Sequence, residues 1–147
     1  MIGRIDNNFV HQIELEKKQG KLTEAFRVLG FRKDIDECLR KIDFLIVPAQ
    51  GDGFGRTIVE SMRAGVIPLA LDSGGHTEII QNRIDGVLIK KLNAQDFMDG
   101  LLEVCNDQSL YNSMLLKAHE KSRIHYTTRK HATEISLIYE TMSTAKN

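Results

Sequence analysis

Three short runs in this chain are apolar from end to end rather than at every second residue: Phe44 to Pro48, Val66 to Leu71 and Gly86 to Ile89. Alternation marks a strand with one wet face, whereas an unbroken run marks a strand covered on both faces. Two more apolar runs, Met1 to Gly3 and Ala25 to Phe31, precede them. The segments between are polar with helical spacing. In Asp34 to Ile42, the residues Ile35, Leu39 and Ile42 fall at i, i+4 and i+7 behind Asp34 as an N-cap. In Arg56 to Ala64, Ile58, Val59 and Met62 line one face, and Gly65 stands where the helix should stop. After Ile89 the pattern is helical over Ala94 to Cys105, Leu110 to Ile124 and roughly Lys130 to Met142. Strands alternating with helices predict an α/β fold, a parallel sheet with flanking helices and a helical C-terminal tail.

Composition narrows the function classes. At 147 residues the chain is long enough for one domain, and its 20 Lys and Arg balance 20 Asp and Glu. A surface dedicated to nucleic acid would need a basic excess. The apolar runs are too short to span a bilayer, and the start lacks the basic, apolar, small-residue order of a signal peptide. Cys38 and Cys105 stand far apart with no ligand spacing around them. They read as two buried thiols of a protein in a reducing cytoplasm, with no metal site.

In sheets of this kind ligands sit outside the carboxyl ends of the strands. Four loops leave those ends: Gly3 to Asn8, Phe31 to Lys33, Pro48 to Gly55 and Asp72 to Thr77. The third, Pro-Ala-Gln-Gly-Asp-Gly-Phe-Gly, carries glycines at 51, 53 and 55 and runs into the helix that begins near Arg56. A helix start offers free N–H groups and a positive dipole end, which suits a phosphate or another anion. The spacing matches neither a dinucleotide fingerprint nor a P-loop, since Arg56 stands where GxGxxG needs a glycine. Glycines alone leave an ordinary turn open as an alternative. The acids add to the case. Asp52 in the loop and Glu60 on the helix place carboxylates on either side of such an anion, each ready to accept from hydroxyls. A sugar, a diphosphate and a ribose present their groups in that order. A turn acid and a solvated helix position are the plainer readings, although Ile58 and Val59 draw Glu60 toward the core face.

The stretch Pro48-x3-Asp52-Gly-Phe-Gly-Arg-Thr-Ile-Val-Glu60-Ser-Met-Arg-Ala-Gly65-Val-Ile-Pro68 resembles the donor-binding signature of the retaining glycosyltransferase family 4, the group 1 glycosyltransferases. Asp72-Ser-Gly74-Gly75-His-Thr-Glu78-Ile-Ile80 is similar to that family's next block, and Asp85-Gly86, Asn93 to Asp96 and Tyr139 continue in its order. The resemblance covers nearly the whole chain. It implies the second, Rossmann-like domain of a GT-B fold, transferring sugar from a nucleotide-diphosphate donor to a glycan, lipid or other acceptor, as in polysaccharide biosynthesis. The nucleotide sugar is then the substrate, and no cofactor is implied.

The same resemblance assigns roles. Asp52 matches the catalytic acid that touches the donor sugar. Gly53, Phe54 and Gly55 offer backbone N–H groups to that sugar, Arg56 and Thr57 to the diphosphate. Glu60 holds the ribose hydroxyls, Arg32 lies where the base belongs, and Gly74 and Gly75 shape the pocket floor. His76 reads as a packed or solvated histidine, and Arg32 equally as a solvated surface residue. The family's first acid is usually Glu, so Asp52 is one methylene short, and Ala49 stands where many members have Ser.

Met1 to Arg4 aligns with the family domain's second strand, so the first strand and its Arg and Lys clamp on the diphosphate are expected to be missing. The N-terminal acceptor domain is missing too. The expected partners are therefore a nucleotide sugar and either that absent domain or a second chain, with peripheral membrane contact through the absent domain and self-association of the open face. The isolated chain is expected to be inactive. A non-catalytic sugar-nucleotide binder, or a subunit completed by another chain, is the competing class. A receiver or dehydrogenase-like domain is disfavoured, because no acidic cluster follows the first run and GxGxxG is absent.

Overall fold

The computed structural model describes residues 6–23, 25–51 and 53–144. It divides into two compact units, residues 1–37 and 38–147. In the first, helix α1 spans Asn7–Lys18, with the Asp6 carboxylate accepting from the Asn8 N–H at 2.7 Å and Lys17 and Lys18 in the last turn. Both ends thus complement the helix dipole. The loop expected over Gly3 to Asn8 therefore ends in the cap and first turn of a helix. No strand forms over residues 25–31. Gly30 adopts φ 65°, which breaks the extended backbone that the apolar run alone suggested. The strand expected at Met1 to Gly3 lies outside the described residues.

Helix α2, Ile35–Leu39, straddles the division and is shorter than the expected Asp34 to Ile42. The second unit then runs β1 (Phe44–Val47), α3 (Arg56–Ala64), β2 (Ile67–Leu71), α4 (His76–Ile79), β3 (Val87–Ile89), α5 (Ala94–Cys105), α6 (Gln108–His125) and α7 (Thr128–Thr144). The sheet order is β1-β2-β3, all parallel, with Phe44 opposite Ile67 and Leu69 opposite Val87. Helix limits follow local chemistry. Gly65 closes α3 with its N–H on the Met62 carbonyl at 3.2 Å. Asn93 caps α5 by accepting from Asp96 N–H at 2.8 Å, and Asp107 caps α6 by accepting from Leu110 N–H at 2.9 Å. Among the described residues no helix is long and apolar enough to cross a membrane.

Every residue of β2 is buried. On one face Ile67, Leu69 and Leu71 join Val87 and Ile89 beneath Phe97 and Val104 of α5 and Met114 of α6. On the other face Ala70 packs with Ile58 and Met62 of α3, Ile79, Ile80 and Ala118 of α6. The non-alternating run of β2 is explained by this double cover. The same expectation for Phe44 to Pro48 is corrected: among the described residues β1 is an edge strand, none of its residues is buried and Ile46 is half exposed. Cys38 is half-buried and Cys105 exposed, so the expected burial of the two thiols is corrected as well. One buried charge holds the second layer together: Lys121 Nζ donates to the Ile79 carbonyl at 2.5 Å and pairs with Asp85 Oδ2 at 2.7 Å, while Asp85 Oδ1 accepts from Gln81 N–H. This ties α6 to the end of α4 and to the turn that feeds β3.

Removing one partner of a buried pair strands the other. Asp85 is only 3% exposed, whereas the Lys121 side chain keeps 24% of its surface in water. Lys121→Met is therefore expected to cost about 3 kcal/mol, the low end of the range for such pairs. Urea unfolding of the variant checks it, and a loss below about 0.5 kcal/mol would show the pair to be incidental.

Candidate functional site

Parallel pairing places the carboxyl ends of β1 and β2 side by side, so the loops leaving them meet. The meeting is main chain against main chain. A Cβ built on Gly75 would lie 1.7 Å from the Gly53 carbonyl oxygen and 3.2 Å from Phe54 Cα. Only glycine permits that approach. Beside it, the Gly51 N–H donates to Ser73 Oγ at 3.1 Å. The second loop is itself a tight turn, with His76 N–H on the Ser73 carbonyl and Thr77 Oγ1 donating to the Gly74 carbonyl at 3.0 Å.

Gly55 ends the first loop as the N-cap of α3, with φ 62° and ψ 47° and no side chain to cap the helix. Its missing Cβ would sit 3.2 Å from Ile58 Cδ1 and 3.3 Å from His76 Cδ2. The left-handed turn swings the loop off the core, and the helix start faces outward with Arg56 and Thr57 exposed. The Ile58 N–H turns back to the Gly55 carbonyl at 2.9 Å. Among the described residues no hydrogen bond reaches the amides of Arg56 and Thr57. That is the condition for a helix start to take an anion.

The sequence-predicted residues are thus brought together in part. Gly53, Phe54, Gly55, Arg56, Thr57, Gly74 and Gly75 share one surface, and Glu60 stands one turn into α3 on the same face as Arg56. Glu60 is exposed, opposite the buried Ile58, Ser61 and Met62, so the expectation that it leans toward the core is corrected. Helical phase decides this. One residue past Val59, a side chain has already turned 100° further around the helix. Asp52 lies outside the described residues. Arg32 belongs to the first unit, where its guanidinium takes the Asp34 carboxylate at both ends, Nε to Oδ1 at 2.8 Å and Nη2 to Oδ2.

His76 is fully buried and its Nδ1–H donates to the Leu71 carbonyl at 2.9 Å, a packing role as expected. Two contributors carried no local signal: Ser73, which anchors Gly51, and Tyr126, whose ring meets Phe54 edge to face at 5.9 Å between centroids. Two shallow grooves lie elsewhere. One of about 460 Å³ runs between β3 and α5 and holds the Arg83–Glu103 pair. An apolar one of about 330 Å³ lies between Ile46, Pro48, Leu92 and Phe97. Neither is lined by residues 53–60. Gly53, Phe54, Arg56, Thr57 and Gly74 are exposed, so the glycine loops present a shelf to solvent.

Gly75→Ala is expected to displace the first loop and cost about 2 kcal/mol or more, since the obstructing atom is backbone. Gly53, with open space around it and ordinary φ, is expected to accept Ala within about 0.5 kcal/mol. Thermal unfolding of the two variants checks the pair. Equal losses would remove the close approach as an explanation.

A profile of the glycosyl transferases group 1 matches residues 1–121. An uncharacterized glycosyltransferase of Methanocaldococcus jannaschii is 31% identical over 115 residues, which is 76% of this chain and 32% of that protein. The N,N'-diacetylbacillosaminyl-diphospho-undecaprenol alpha-1,3-N-acetylgalactosaminyltransferase of Campylobacter jejuni is 31% identical over 86 residues, 58% of this chain and 23% of that one. The chain therefore spans about a third or less of the length of these relatives. Among solved structures, Anabaena HepE in complex with UDP superposes with a TM-score of 0.81 at 22% identity, over 97% of this chain and 40% of that one. A glycosyltransferase from Rickettsia africae reaches 0.83 at 22% identity, over 96% and 38%. These likenesses show the fold, a parallel α/β domain of the kind that forms the C-terminal half of GT-B glycosyltransferases. The chain belongs to the group 1 glycosyl transferases.

Proposed function

We propose that residues 1–147 form the donor-binding half of a retaining glycosyltransferase. The observation that carries this reading is the shelf where Gly75 meets Gly53 beside the uncapped start of α3. In this reading the diphosphate of a sugar nucleotide lies on the Arg56 and Thr57 amides. The sugar lies against Gly53, Phe54 and Gly55, and Gly74 and Gly75 form the floor. Glu60, exposed one turn further on, accepts from both ribose hydroxyls, and Asp52 accepts from the sugar near its reacting carbon. The bond from the anomeric carbon to the distal phosphate oxygen breaks, an acceptor oxygen takes that carbon with loss of its proton, and the nucleoside diphosphate departs. Charge grows on the departing phosphate, where the helix dipole and free amides stabilise it. Support comes from the family match and from HepE, which was solved with UDP, with UDP and glucose, and with UDP-glucose.

The shelf is open, and transfer needs water excluded and two substrates aligned. The acceptor side is proposed to come from protein beyond residues 1–147, or from a second chain. Purified alone, these residues are expected to bind a sugar nucleotide but to transfer nothing. Titration with UDP-, GDP- and ADP-sugars, followed by assay of released nucleoside diphosphate, checks both halves. Absence of binding would refute the donor role, and turnover without a partner would refute the half-site. Glu60→Gln is expected to weaken nucleotide binding by about 1 to 3 kcal/mol with unfolding unchanged, since Glu60 is exposed. Calorimetry giving equal affinities for the two proteins would remove Glu60 from the ribose.

A further inference from the structure

Phe54 carries a bulky side chain in a loop whose main chain is held at Gly53 by the close approach of Gly75 and at Gly51 by Ser73. Glycines stand on both sides of it, one in open space and one left-handed, and its ring is 55% exposed. A hold on its side chain comes from the far end of the chain. Tyr126 closes α6, and its ring is packed against the layer formed by Ile58, Met62, Ile79 and Ala118. From that anchored position it presents an edge to Phe54 at 5.9 Å and 67° between planes, the favoured T-shaped arrangement. Burial, reinforced by Asp85 and Glu78, pushes the Tyr126 phenol above its ordinary range, so the ring stays neutral.

We infer that Tyr126 is a positioning residue for the donor shelf: it holds Phe54, and through Phe54 the Gly53 to Gly55 backbone, in the orientation that receives the sugar. The role in sugar binding rests on the donor-binding reading above, whereas the hold on the loop does not. A free loop of this composition would sample many backbone states, and ordering it on binding would cost affinity. The Tyr126 ring removes part of that cost before the ligand arrives. It also couples the shelf to the junction of α6 and α7, since Tyr126 precedes α7 by two residues. Contact with the sugar rather than the nucleotide makes the effect selective.

Hydrogen exchange on the whole chain separates the two claims. Tyr126→Leu keeps apolar volume against α3 and α4 but removes the aromatic edge, and Tyr126→Phe restores it. Tyr126→Leu is expected to speed exchange in peptides spanning 50–58 by about two- to tenfold, with β2 peptides unchanged and Tyr126→Phe like the parent. In calorimetry, affinity for whichever of UDP-, GDP- or ADP-glucose the parent binds should fall by a similar factor, while affinity for the matching nucleoside diphosphate holds. In a Phe54→Ala background the Tyr126→Leu change should add nothing. Unchanged loop exchange, a Tyr126→Phe variant no better than Tyr126→Leu, or additive losses would overturn the positioning role. A parent that binds no sugar nucleotide would overturn the donor-binding reading, with the exchange data still deciding whether Tyr126 holds the loop.

Discussion

Strand β2 is the element on which the second unit depends. It is paired with β1 on one edge and, over Leu69 to Leu71, with β3 on the other, and it is covered on both faces, so Ile67 to Leu71 are all buried. Its two faces define two layers, one under α5 and α6 and one with α3, α4 and α6. Because β1 runs parallel to it in fixed register, the loop after β1 and the loop after β2 must emerge together. The site is a consequence of that pairing. The loop after β2 could not be moved without shifting a strand whose every side chain is packed.

Given the juxtaposition, backbone chemistry does the rest. Two loops with ordinary side chains would hold each other apart by several ångströms. Gly75 removes that spacer, and Gly51 adds a hydrogen bond to Ser73 beside it. Gly55 then enters α3 in the left-handed region and leaves its first amides pointing outward. A site made of amides and a helix dipole needs no charged side chain to attract an anion. In the reading proposed above, that anion is the diphosphate of a sugar nucleotide, the part common to all donors. The shelf is open to solvent, as one wall of a two-walled cleft would be.

Much of this was legible in the residues. The limits of α3 and α5 match the expected Arg56 to Ala64 and Ala94 to Cys105, because glycine and Asn93 mark the ends chemically. The unbroken apolar runs at Val66 to Leu71 and Gly86 to Ile89 did mark buried strands, whereas the equally unbroken run of β1 lies at the sheet edge with Ile46 half exposed. Where apolar pattern stood without such marks, the reading failed. Ala25 to Phe31 is mostly apolar but is broken by Arg27 and by Gly30 with a left-handed φ of 65°. Helix α1 buries Ile13 as its only fully covered hydrophobic residue among those described, so its spacing gave little signal behind a good Asp6 cap. In the site, the loop glycines and the helix start were readable from spacing, whereas the outward face of Glu60 required helical phase to be followed residue by residue. Tyr126 was not readable at all. Its partner lies 72 positions away, and no local pattern records a contact made through tertiary packing.

The central claim is that the β1 and β2 loops, with the start of α3, make one anion-binding shelf. Amide chemical shifts of the labelled protein during titration with UDP test it most directly. The account predicts saturable shifts concentrated on the amides of residues 53–57 and 74–75, with the groove between β3 and α5 silent. Saturable shifts centred on Arg83, Lys90 and Asp99 with the glycine loops unmoved would place the anion elsewhere and contradict it.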